Sequence, residues 1–379
     1  MIQKFIEAGY TIEDFNNNKS SIYIVNTCTV TSIADKKSRQ YLRKAKQNNK
    51  NAIIVAIGCY VESAKAEIEA IEEVDLVLDN NDKTEIVSKV EEYMSRTVLY
   101  GNALSNSSLP GRYVFPPRGS EIHISPSATL LTVNSAIILP ETYKEFGSIT
   151  YNPNTRTNIK IQDGCDNFCT YCIIPYVRGR IRSRLRKNIM EEIKELIKKE
   201  KREIVITGIN ISNYEKEINN KNGLIELLEE INEIGGLKSI RLSSLSPTIL
   251  TEEFILRLAK LSKIHPHFHL SLQSACDETL KRMNRKYNVT LLEKNINTLK
   301  QAFPNLYLAT DIIVGFPGET DEEFEQTYEF LKKNKFNKLH VFQYSKRKGT
   351  VAGSMDNQVE NEIKKQRSKM LIALSDAIG

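Results

Sequence analysis

The stretch that decides the fold reads Gln162-Asp-Gly-Cys-Asp-Asn-Phe-Cys-Thr-Tyr-Cys-Ile-Ile-Pro-Tyr-Val-Arg-Gly-Arg-Ile-Arg-Ser-Arg184. Its three cysteines, Cys165, Cys169 and Cys172, are separated by three and then by two residues. Thiolates this close together on one loop can occupy neighbouring positions of a single metal centre. The loop supplies no fourth ligand, so the spacing predicts a metal centre with one open position.

Two other interpretations of the cysteines compete with an iron–sulfur cluster. A structural zinc site normally has a fourth Cys or His, and none lies near this loop in the sequence. A disulfide framework is disfavoured because six cysteines in 379 residues are sparse and no signal peptide is evident. An iron–sulfur cluster is therefore the favoured interpretation, with zinc as the alternative.

The cysteine loop and the sequence after it resemble the radical S-adenosylmethionine (SAM) methylthiotransferases. The resemblance is carried by the cysteine spacing, by Tyr171 before the last cysteine and by the run from Ile173 to Arg184. A second similar motif is Gln273-Ser-Ala-Cys-Asp-Glu-Thr-Leu-Lys-Arg-Met-Asn-Arg285. Within the family, the chain is most similar to the branch that acts on N6-threonylcarbamoyladenosine at position 37 of tRNA. The resemblance covers residues 1 to about 98 and about 145 to 375.

The resemblance implies a set of cofactors and partners. Cys165, Cys169 and Cys172 would bind a 4Fe–4S cluster whose remaining iron chelates SAM, and reductive cleavage of SAM would give a 5′-deoxyadenosyl radical. That radical would take hydrogen from C2 of the modified adenine, a second cluster would supply sulfur, and a second SAM would supply the methyl group. The implied partners are the tRNA anticodon loop and an electron donor such as a flavodoxin or ferredoxin, and we expect a monomer.

Alternative functions remain open at this point. A sister methylthiotransferase would act on isopentenyladenosine at position 37 or on an aspartate of a ribosomal protein. A third hypothesis is a shortened iron–sulfur protein that binds tRNA without methylthiolating it. The resemblance also implies a terminal RNA-binding β-barrel in the family, and nothing after about residue 352 resembles one.

The composition is that of a globular protein, with 26% charged and 40% hydrophobic residues. No apolar run approaches the roughly 18–20 residues of a membrane span, and no targeting segment is evident, so we expect a cytoplasmic protein. The net charge of +6 permits a nucleic-acid partner without requiring one.

Residues 1–98 are predicted to form an α/β domain with a doubly wound parallel sheet, because three strands alternate with helices. Cys28 and Cys59 each follow a predicted strand, at the sheet edge where ligands of such folds gather. Buried apolar thiols are the plainer interpretation. The resemblance instead implies ligands of the second 4Fe–4S cluster. The chain begins inside the helix that follows the family's third auxiliary cysteine, so only two of the three ligands are expected.

Residues 99–144 contain repeated Gly, Pro and Ser and are predicted to be a disordered linker. Residues 145–352 show six strand–helix repeats, which predict an open (β/α)6 barrel with its site at the carboxyl ends of the strands. Residues 353–379 are predicted to be a terminal helical segment, with one basic amphipathic helix over Glu360–Ile378.

Polar residues and glycines at the predicted strand ends suit a SAM pocket on one rim of this barrel. These candidates are Thr207, Gly208, Asn210, Arg241, Ser244, Gln273, Asp311, Gly315 and Gly318.

Arginines at alternate positions follow the cysteine loop, and an extended strand would place them on one cationic face. We expect Arg178, Arg180, Arg182 and Arg184 to contact tRNA phosphates, although a solvated face is the alternative. Tyr171, Tyr176 and Phe316 are candidates for stacking on an unpaired base.

Overall fold

The computed structural model describes residues 1–16, 20–104, 141–147 and 156–378, with only the backbone described over 97–104. The chain divides into two compact units, Met1–Leu139 and Pro140–Gly379. Most of the linker predicted over 99–144 lies outside the described residues. The prediction that this linker is disordered therefore concerns residues outside the described ranges. Within the described ranges, no helix is both long and apolar enough to cross a bilayer.

The first unit contains a parallel three-stranded sheet with helices on both faces, as predicted. Its strands are β1 (Ile22–Thr27), β2 (Ile53–Gly58) and β3 (Leu76–Leu78), in that spatial order. Its helices are α1 (Ile2–Glu7), α2 (Ser32–Asn48), α3 (Cys59–Glu69) and α4 (Ile86–Leu104). All six β2 residues are buried because the sheet has an apolar cluster on each face.

The second unit alternates strands and helices along the chain. Its strands are β4 (Thr157–Asp163), β5 (Arg182–Ser183), β6 (Glu203–Gly208), β7 (Ser239–Leu242), β8 (His267–Gln273), β9 (Tyr307–Val314) and β10 (Lys338–Gln343). Its helices are α5 (Ile174–Arg178), α6 (Arg186–Lys198), α7 (Gly223–Asn232), α8 (Glu252–Ala259), α9 (Asp277–Arg282), α10 (Val289–Ala302), α11 (Asp321–Asn334) and α12 (Asn361–Ile378).

The parallel strands form two sheets, one with the order β4-β6-β7 and one with the order β8-β9-β10. Single parallel bridges, Ile240 with Ile264 and Leu245 with Leu270, join β7 and its following loop to the β8 region. The predicted open (β/α)6 barrel is confirmed. The short β5 pairs antiparallel with β4 and was not predicted, nor were α5 and α9.

Side chains alternate between the two faces of the barrel strands. On β8, Phe268, Leu270 and Leu272 are buried against the surrounding helices, as expected for period-two strands. His267 and His269 point to the opposite, inner face and remain partly exposed. The inner face of β8 therefore carries polar side chains.

The last two helices follow the sequence signals closely. Thr320 and Glu323 form the predicted capping box at the start of α11. The helix predicted over Glu360–Ile378 is present as α12, and its Leu371 and Leu374 belong to the core of the second unit. The backbone N–H of Leu339 in β10 donates to Ser375 Oγ at 3.0 Å, which fixes α12 against the sheet.

Candidate metal centre

The cysteine loop leaves the barrel at the carboxyl end of β4, the first of the parallel strands. Gly164 begins the loop with a φ of +73°, and a Cβ at this position would overlap the carbonyl oxygen of Arg180. Cys165 N–H donates to Gly179 O at 3.0 Å. The loop therefore turns sharply and lies against the segment after α5, which only glycine permits at residue 164.

Backbone contacts from distant parts of the second unit hold the middle of the loop. Thr170 N–H donates to Met283 O at 3.1 Å, and Thr170 Oγ1 donates to Arg282 O at 2.9 Å. Asn284 Nδ2 donates to Phe168 O at 3.0 Å, and Ala352 N–H donates to Thr170 O at 2.8 Å. These bonds satisfy backbone groups that a buried loop would otherwise leave unpaired.

The three thiols of the loop lie in a partly desolvated environment. Cys169 is buried, and Cys165 and Cys172 are partly buried. Burial raises the pKa of the Cys165 thiol and raises that of Cys172 to about 12. Thiols in such surroundings ionise when a metal or another positive charge offsets the burial.

The donor set fits an iron–sulfur cluster better than a zinc ion. In the described ranges, no three His, Cys, Asp or Glu side chains converge to hold one metal ion, as tetrahedral zinc requires. A cluster has its thiolate ligands on different iron atoms, so they need not converge on one point. Three cysteines on one partly buried loop are compatible with that requirement.

One of the predicted pocket residues, Asn210, is linked to the cysteine loop through Gln162. Gln162 Nε2 donates to Gly164 O at 2.7 Å, and its Oε1 accepts from Asn210 N–H at 2.8 Å. Asn210 Nδ2 lies 4.0 Å from Cys165 Sγ. Thr207 and Gly208 end β6 directly before this contact. The amide of Gln162, for which the sequence indicated no role, therefore joins β6 to the loop.

The other predicted pocket residues follow β7, β8 and β9, with two exceptions. Ser244 follows β7, Gln273 ends β8 with a φ of +70°, and Gly315 and Gly318 lie in the loop after β9. Gly315 N–H donates to Glu319 Oε2 at 2.6 Å, and Gly318 N–H donates to Asn357 O at 2.7 Å. These hydrogen bonds fix the glycine-rich loop at the carboxyl end of β9.

Asp311 and Arg241 do not lie on this rim. Asp311 lies within β9, with Oδ1 3.0 Å from His269 Nε2 on the inner face. Arg241 lies within β7, with Nη2 2.7 Å from His265 Nε2, and it is close to Arg156 and Glu203. Because Arg156 precedes β4 and Glu203 begins β6, the Arg241 side chain points to the amino ends of the strands. The predicted rim position is wrong for Arg241.

The arginines after the loop do not form one cationic face, because residues 178–184 are not one extended strand. Arg178 ends α5, with Nη1 3.5 Å from Asp163 Oδ2, and Arg180 is exposed. Arg182 and Arg184 are each 5% exposed. Arg184 bonds to the buried carboxylate of Glu192. The prediction of phosphate contacts is wrong for Arg182 and Arg184, whose side chains turn inward.

The aromatic candidates for base stacking differ in exposure. Phe316 is fully buried, and Tyr171 packs edge-on to it with ring centroids 6.4 Å apart. Tyr176 is 44% exposed and contacts Phe168 with ring centroids 5.9 Å apart. Stacking on an unpaired base is therefore open to Tyr176 and closed to Phe316.

The two cysteines of the first unit lie next to each other at the carboxyl edge of its sheet. Thr27 and Gly58 are paired in register, so Cys28 and Cys59 follow at equivalent positions of β1 and β2. Gly58 has a φ of +117°, and a Cβ there would overlap the Thr27 carbonyl oxygen. Cys28 is exposed and Cys59 partly exposed. They are not the buried apolar thiols of the alternative interpretation.

Sequence reasoning did not predict the contact between Arg285 and the cysteine loop. Its Nη1 donates to Cys169 Sγ at 3.3 Å, although the two residues are 116 positions apart in the chain. The motif Gln273–Arg285 pointed to this segment, but no local pattern connects it with the cysteine loop. Folding alone brings the two together.

Comparisons with known proteins agree with this geometry. Residues 159–331 match the model of the radical SAM superfamily, and residues 1–79 match a family described as uncharacterized protein family UPF0004. The threonylcarbamoyladenosine tRNA methylthiotransferase MtaB of Bacillus subtilis is 38% identical over 378 residues, which are 100% of this chain and 76% of that protein. The MtaB of Aquifex aeolicus is 35% identical over 97% of this chain and 82% of its own.

Two further similar proteins broaden the comparison. The tRNA-2-methylthio-N(6)-dimethylallyladenosine synthase of Clostridium tetani is 34% identical over 94% of this chain and 73% of its own. Among solved structures, the radical S-adenosylmethionine methyltransferase TsrM of Kitasatospora setae aligns with a TM-score of 0.57 and 15% identity. That alignment covers 89% of this chain and 67% of TsrM, and it supports the fold alone. The identity to the tRNA-modifying relatives over nearly the whole chain, together with the cysteine loop on the barrel rim, shows that this chain belongs to the radical SAM methylthiotransferase family.

Proposed function

We propose that this protein converts N6-threonylcarbamoyladenosine at position 37 of tRNA into its 2-methylthio derivative. The observation that carries the proposal is the three-cysteine loop at the carboxyl end of β4, in a chain 38% identical to MtaB of Bacillus subtilis. The fold alone would not carry it, because one fold supports many reactions.

Cys165, Cys169 and Cys172 are the proposed ligands of the iron–sulfur cluster. When bound, the cluster would supply the reductive cleavage of SAM. This chemistry can remove hydrogen from an unactivated C–H bond. Hydrogen bonds from Cys165 N–H and from Thr170 hold the loop in place, and Cys169 is buried. Such support is needed because ligand orientation and burial set the properties of a bound cluster.

The SAM pocket is proposed to lie on the rim formed by the ends of β6, β7, β8 and β9. The backbone after β6 and the loop from Gly315 to Gly318 line this rim together with Ser244 and Gln273. Gly315 and Gly318 have φ values of +70° and +78°, so the chain can turn there without a side chain. The space that a Cβ would fill is taken by the Lys364 side chain at Gly315 and is in contact with the Arg282 side chain at Gly318, so the two glycines let this loop pack closely.

Cys28 and Cys59 are the proposed ligands from the first unit for a second cluster. Their equivalent positions at one sheet edge and their exposure support this role. Sulfur insertion would depend on that second cluster, so substitution of either cysteine would stop methylthiolation without stopping SAM cleavage at the first cluster.

Arg180 is the proposed contact to tRNA phosphate in the segment after the loop. Its side chain is 73% exposed, and its guanidinium lies 4.9 Å from the ring centroid of Phe168. Its contact with Asp166 at 3.7 Å is a solvent-exposed ion pair, which contributes little stability and can be exchanged for phosphate.

Anaerobic reconstitution followed by nucleoside analysis tests the proposed function. We expect the wild-type protein to bind iron and sulfide and, when given a reductant and SAM, to release 5′-deoxyadenosine. The triple variant Cys165→Ala/Cys169→Ala/Cys172→Ala should lose the cluster of the loop and this release. Cys276→Ala is the matched control, because Cys276 is a buried cysteine outside the loop.

Mass spectrometry of tRNA nucleosides from a deletion strain then identifies the substrate. Loss of the 2-methylthio form of threonylcarbamoyladenosine is the expected result. The similarity to the Clostridium tetani synthase makes dimethylallyladenosine the second candidate, and loss of its methylthio form instead would favour that substrate. Zinc in the oxygen-protected protein, or no release of 5′-deoxyadenosine, would overturn the proposal.

A further inference from the structure

Arg285, three residues after the end of α9, contacts the cysteine loop. Its Nη1 donates to Cys169 Sγ at 3.3 Å, and its Nη2 donates to the Ser271 carbonyl oxygen of β8 at 2.6 Å. Its Nε donates to Tyr287 Oη at 2.9 Å, and the guanidinium lies 4.9 Å from the Tyr287 ring centroid. Three different bonds thus fix the orientation of this cation next to one thiol.

The charge of Arg285 has no carboxylate partner among the described residues. Other arginines of the same unit are paired with acidic groups: Arg184 with Glu192, Arg282 with Glu323 and Arg367 with Glu319. The ionisable groups that act on Arg285 are instead Tyr287, Tyr171 and Cys169. A partly desolvated cation without a counter-charge is energetically costly. An anion that is not part of the described chain would reduce this cost if it bound next to Arg285.

We propose that Arg285 is the counter-charge of the iron–sulfur cluster, a positioning residue that fixes the Cys169 thiolate and raises the reduction potential of the cluster. The inference rests on the proposed role of Cys169 as a ligand. Net charge and hydrogen bonds to the sulfurs are among the factors that set cluster potentials. A cluster becomes more negative on reduction, so a nearby fixed cation stabilises the reduced form more than the oxidised form.

A purely structural role for Arg285 makes a different prediction. A residue that only joins α9 to β8 would stabilise the protein equally with and without the cluster. A counter-charge stabilises chiefly the cluster-bound protein, because without the cluster its charge is unpaired. The potential of the cluster and the stabilisation caused by cluster binding therefore separate the two roles.

A redox titration of the reconstituted protein, followed by electron paramagnetic resonance of the reduced cluster, tests the proposal. The titration is done on protein with Cys28→Ala and Cys59→Ala, so that only the cluster of the loop contributes. In Arg285→Gln we expect the equilibrium constant for reduction to fall at least tenfold, a shift of about 59 mV for a one-electron couple. Arg285→Lys retains the charge and should fall between Arg285→Gln and the parent.

Lys286→Gln is the matched control for the loss of one positive charge. Lys286 is the next residue in the chain, but it is exposed, and Nζ contacts the Asn284 side chain at 2.6 Å. Solvent screens its charge, so its substitution should leave the potential unchanged. Equal shifts in Arg285→Gln and Lys286→Gln would overturn the proposal, and so would an unchanged potential in Arg285→Gln.

Thermal unfolding with and without the cluster covers the case in which Arg285→Gln binds too little cluster for a titration. We expect cluster loading to raise the Tm of the parent more than that of Arg285→Gln, with similar Tm values for the two cluster-free proteins. An equal loss of Tm in both forms would show a structural role. If the parent itself bound no iron, the proposed function would fail, whereas an Arg285 variant with normal potential would leave that function intact.

Discussion

Arg180 and Arg184 lie four residues apart and have opposite environments. The Arg180 side chain is 73% exposed, whereas that of Arg184 is 6% exposed and bonds to Glu192 and to Glu145. A cation in solvent can attract phosphate, whereas a buried cation mainly balances the charge of its buried partner. Residue type alone therefore does not decide which arginine binds nucleic acid.

Substitution of the two arginines should separate binding from stability. We expect Arg180→Gln to weaken tRNA binding and to reduce the slope of log affinity against log salt concentration by about one, with unchanged stability. Arg184→Leu should lower the free energy of unfolding by about 3–5 kcal/mol, because it removes the cationic partner of the buried Glu192 carboxylate. Fluorescence anisotropy at several salt concentrations and guanidinium unfolding measure the two effects. An unchanged unfolding midpoint in Arg184→Leu would contradict the inward role of this arginine.

The backbone at Gly164 limits which residue can begin the cysteine loop. Gly164→Ala would place a methyl group onto the Arg180 carbonyl oxygen in a left-handed conformation, so we expect the loop to shift and iron binding to fall strongly. Gly235→Ala is the control, because no atom lies within 4 Å of its added Cβ. Iron and sulfide counts after reconstitution compare the two variants. Equal cluster content in both would show that the turn at Gly164 is not needed.

At the scale of single elements, the N-terminus of α11 lies at the residue that the capping sequence predicts. Thr320 Oγ1 accepts from Glu323 N–H at 3.3 Å, and Glu323 Oε2 accepts from Thr320 N–H at 3.3 Å. We expect Thr320→Ala to lower the free energy of unfolding by about 0.5–2 kcal/mol, because an N-terminal N–H loses its acceptor. Thr298→Ala, at a partly exposed threonine inside α10, should have a much smaller effect. Urea denaturation distinguishes the two, and similar losses would argue against the capping box.

Stability should depend on pH through His265, which precedes β8, and through His267, the first residue of β8. Burial lowers the pKa of both rings, and the nearby Arg241 lowers it further. The unfolded chain binds a proton on each ring near its ordinary pKa of about 6.5, whereas the folded protein does so only at lower pH. Stability is therefore fully present above that value and is lost as the pH falls through the lower folded pKa values.

The variant His265→Asn/His267→Asn should reduce this loss at low pH. Guanidinium unfolding between about pH 8 and pH 5 gives the slope of stability against pH. We expect a smaller slope in the variant than in the wild-type protein. The same slope in both proteins would mean that other groups cause the acid sensitivity.

At the scale of the whole molecule, α12 is part of the core of the second unit. Leu371 is fully buried, and Arg367 Nη1 donates to Glu319 Oε2 at 2.6 Å and to Glu319 O at 3.1 Å. Glu319 in turn accepts from Gly315 N–H, so α12 also supports the glycine-rich loop of the proposed SAM pocket. The end of the described chain is thereby connected to the proposed site.

Replacement of neighbouring residues of α12 tests its place in the core. Leu371→Ala should lower the free energy of unfolding by about 2–5 kcal/mol, because it leaves a cavity in the core. Ile372→Ala removes a side chain that is 47% exposed and should change stability by less than about 0.5 kcal/mol. Chemical denaturation of both variants measures the difference. Equal effects would show that α12 does not pack as described.

The strands and most helices of both units could be predicted from the sequence because their signals are local. Six β2 residues in an apolar run and the alternation of strands with helices indicated parallel sheets. The short elements α5, α9 and β5 were missed, since a few residues without a periodic pattern take their structure from the surrounding fold. The alternating arginines from Arg178 to Arg184 favoured one extended strand, but only Arg182 and Ser183 of this segment form a strand, and Arg178 ends α5.

The sequence by itself determined the fold class, the family and the three-cysteine loop, because apolar periodicity and cysteine spacing are properties of neighbouring residues. Only the tertiary structure decided that Arg184 is buried against Glu192, that Arg241 points away from the rim and that Arg285 contacts Cys169. Each of these facts depends on which segments pack together and on how far a long side chain extends. Contacts between residues distant in the chain form only when the core closes, so no local pattern encodes them.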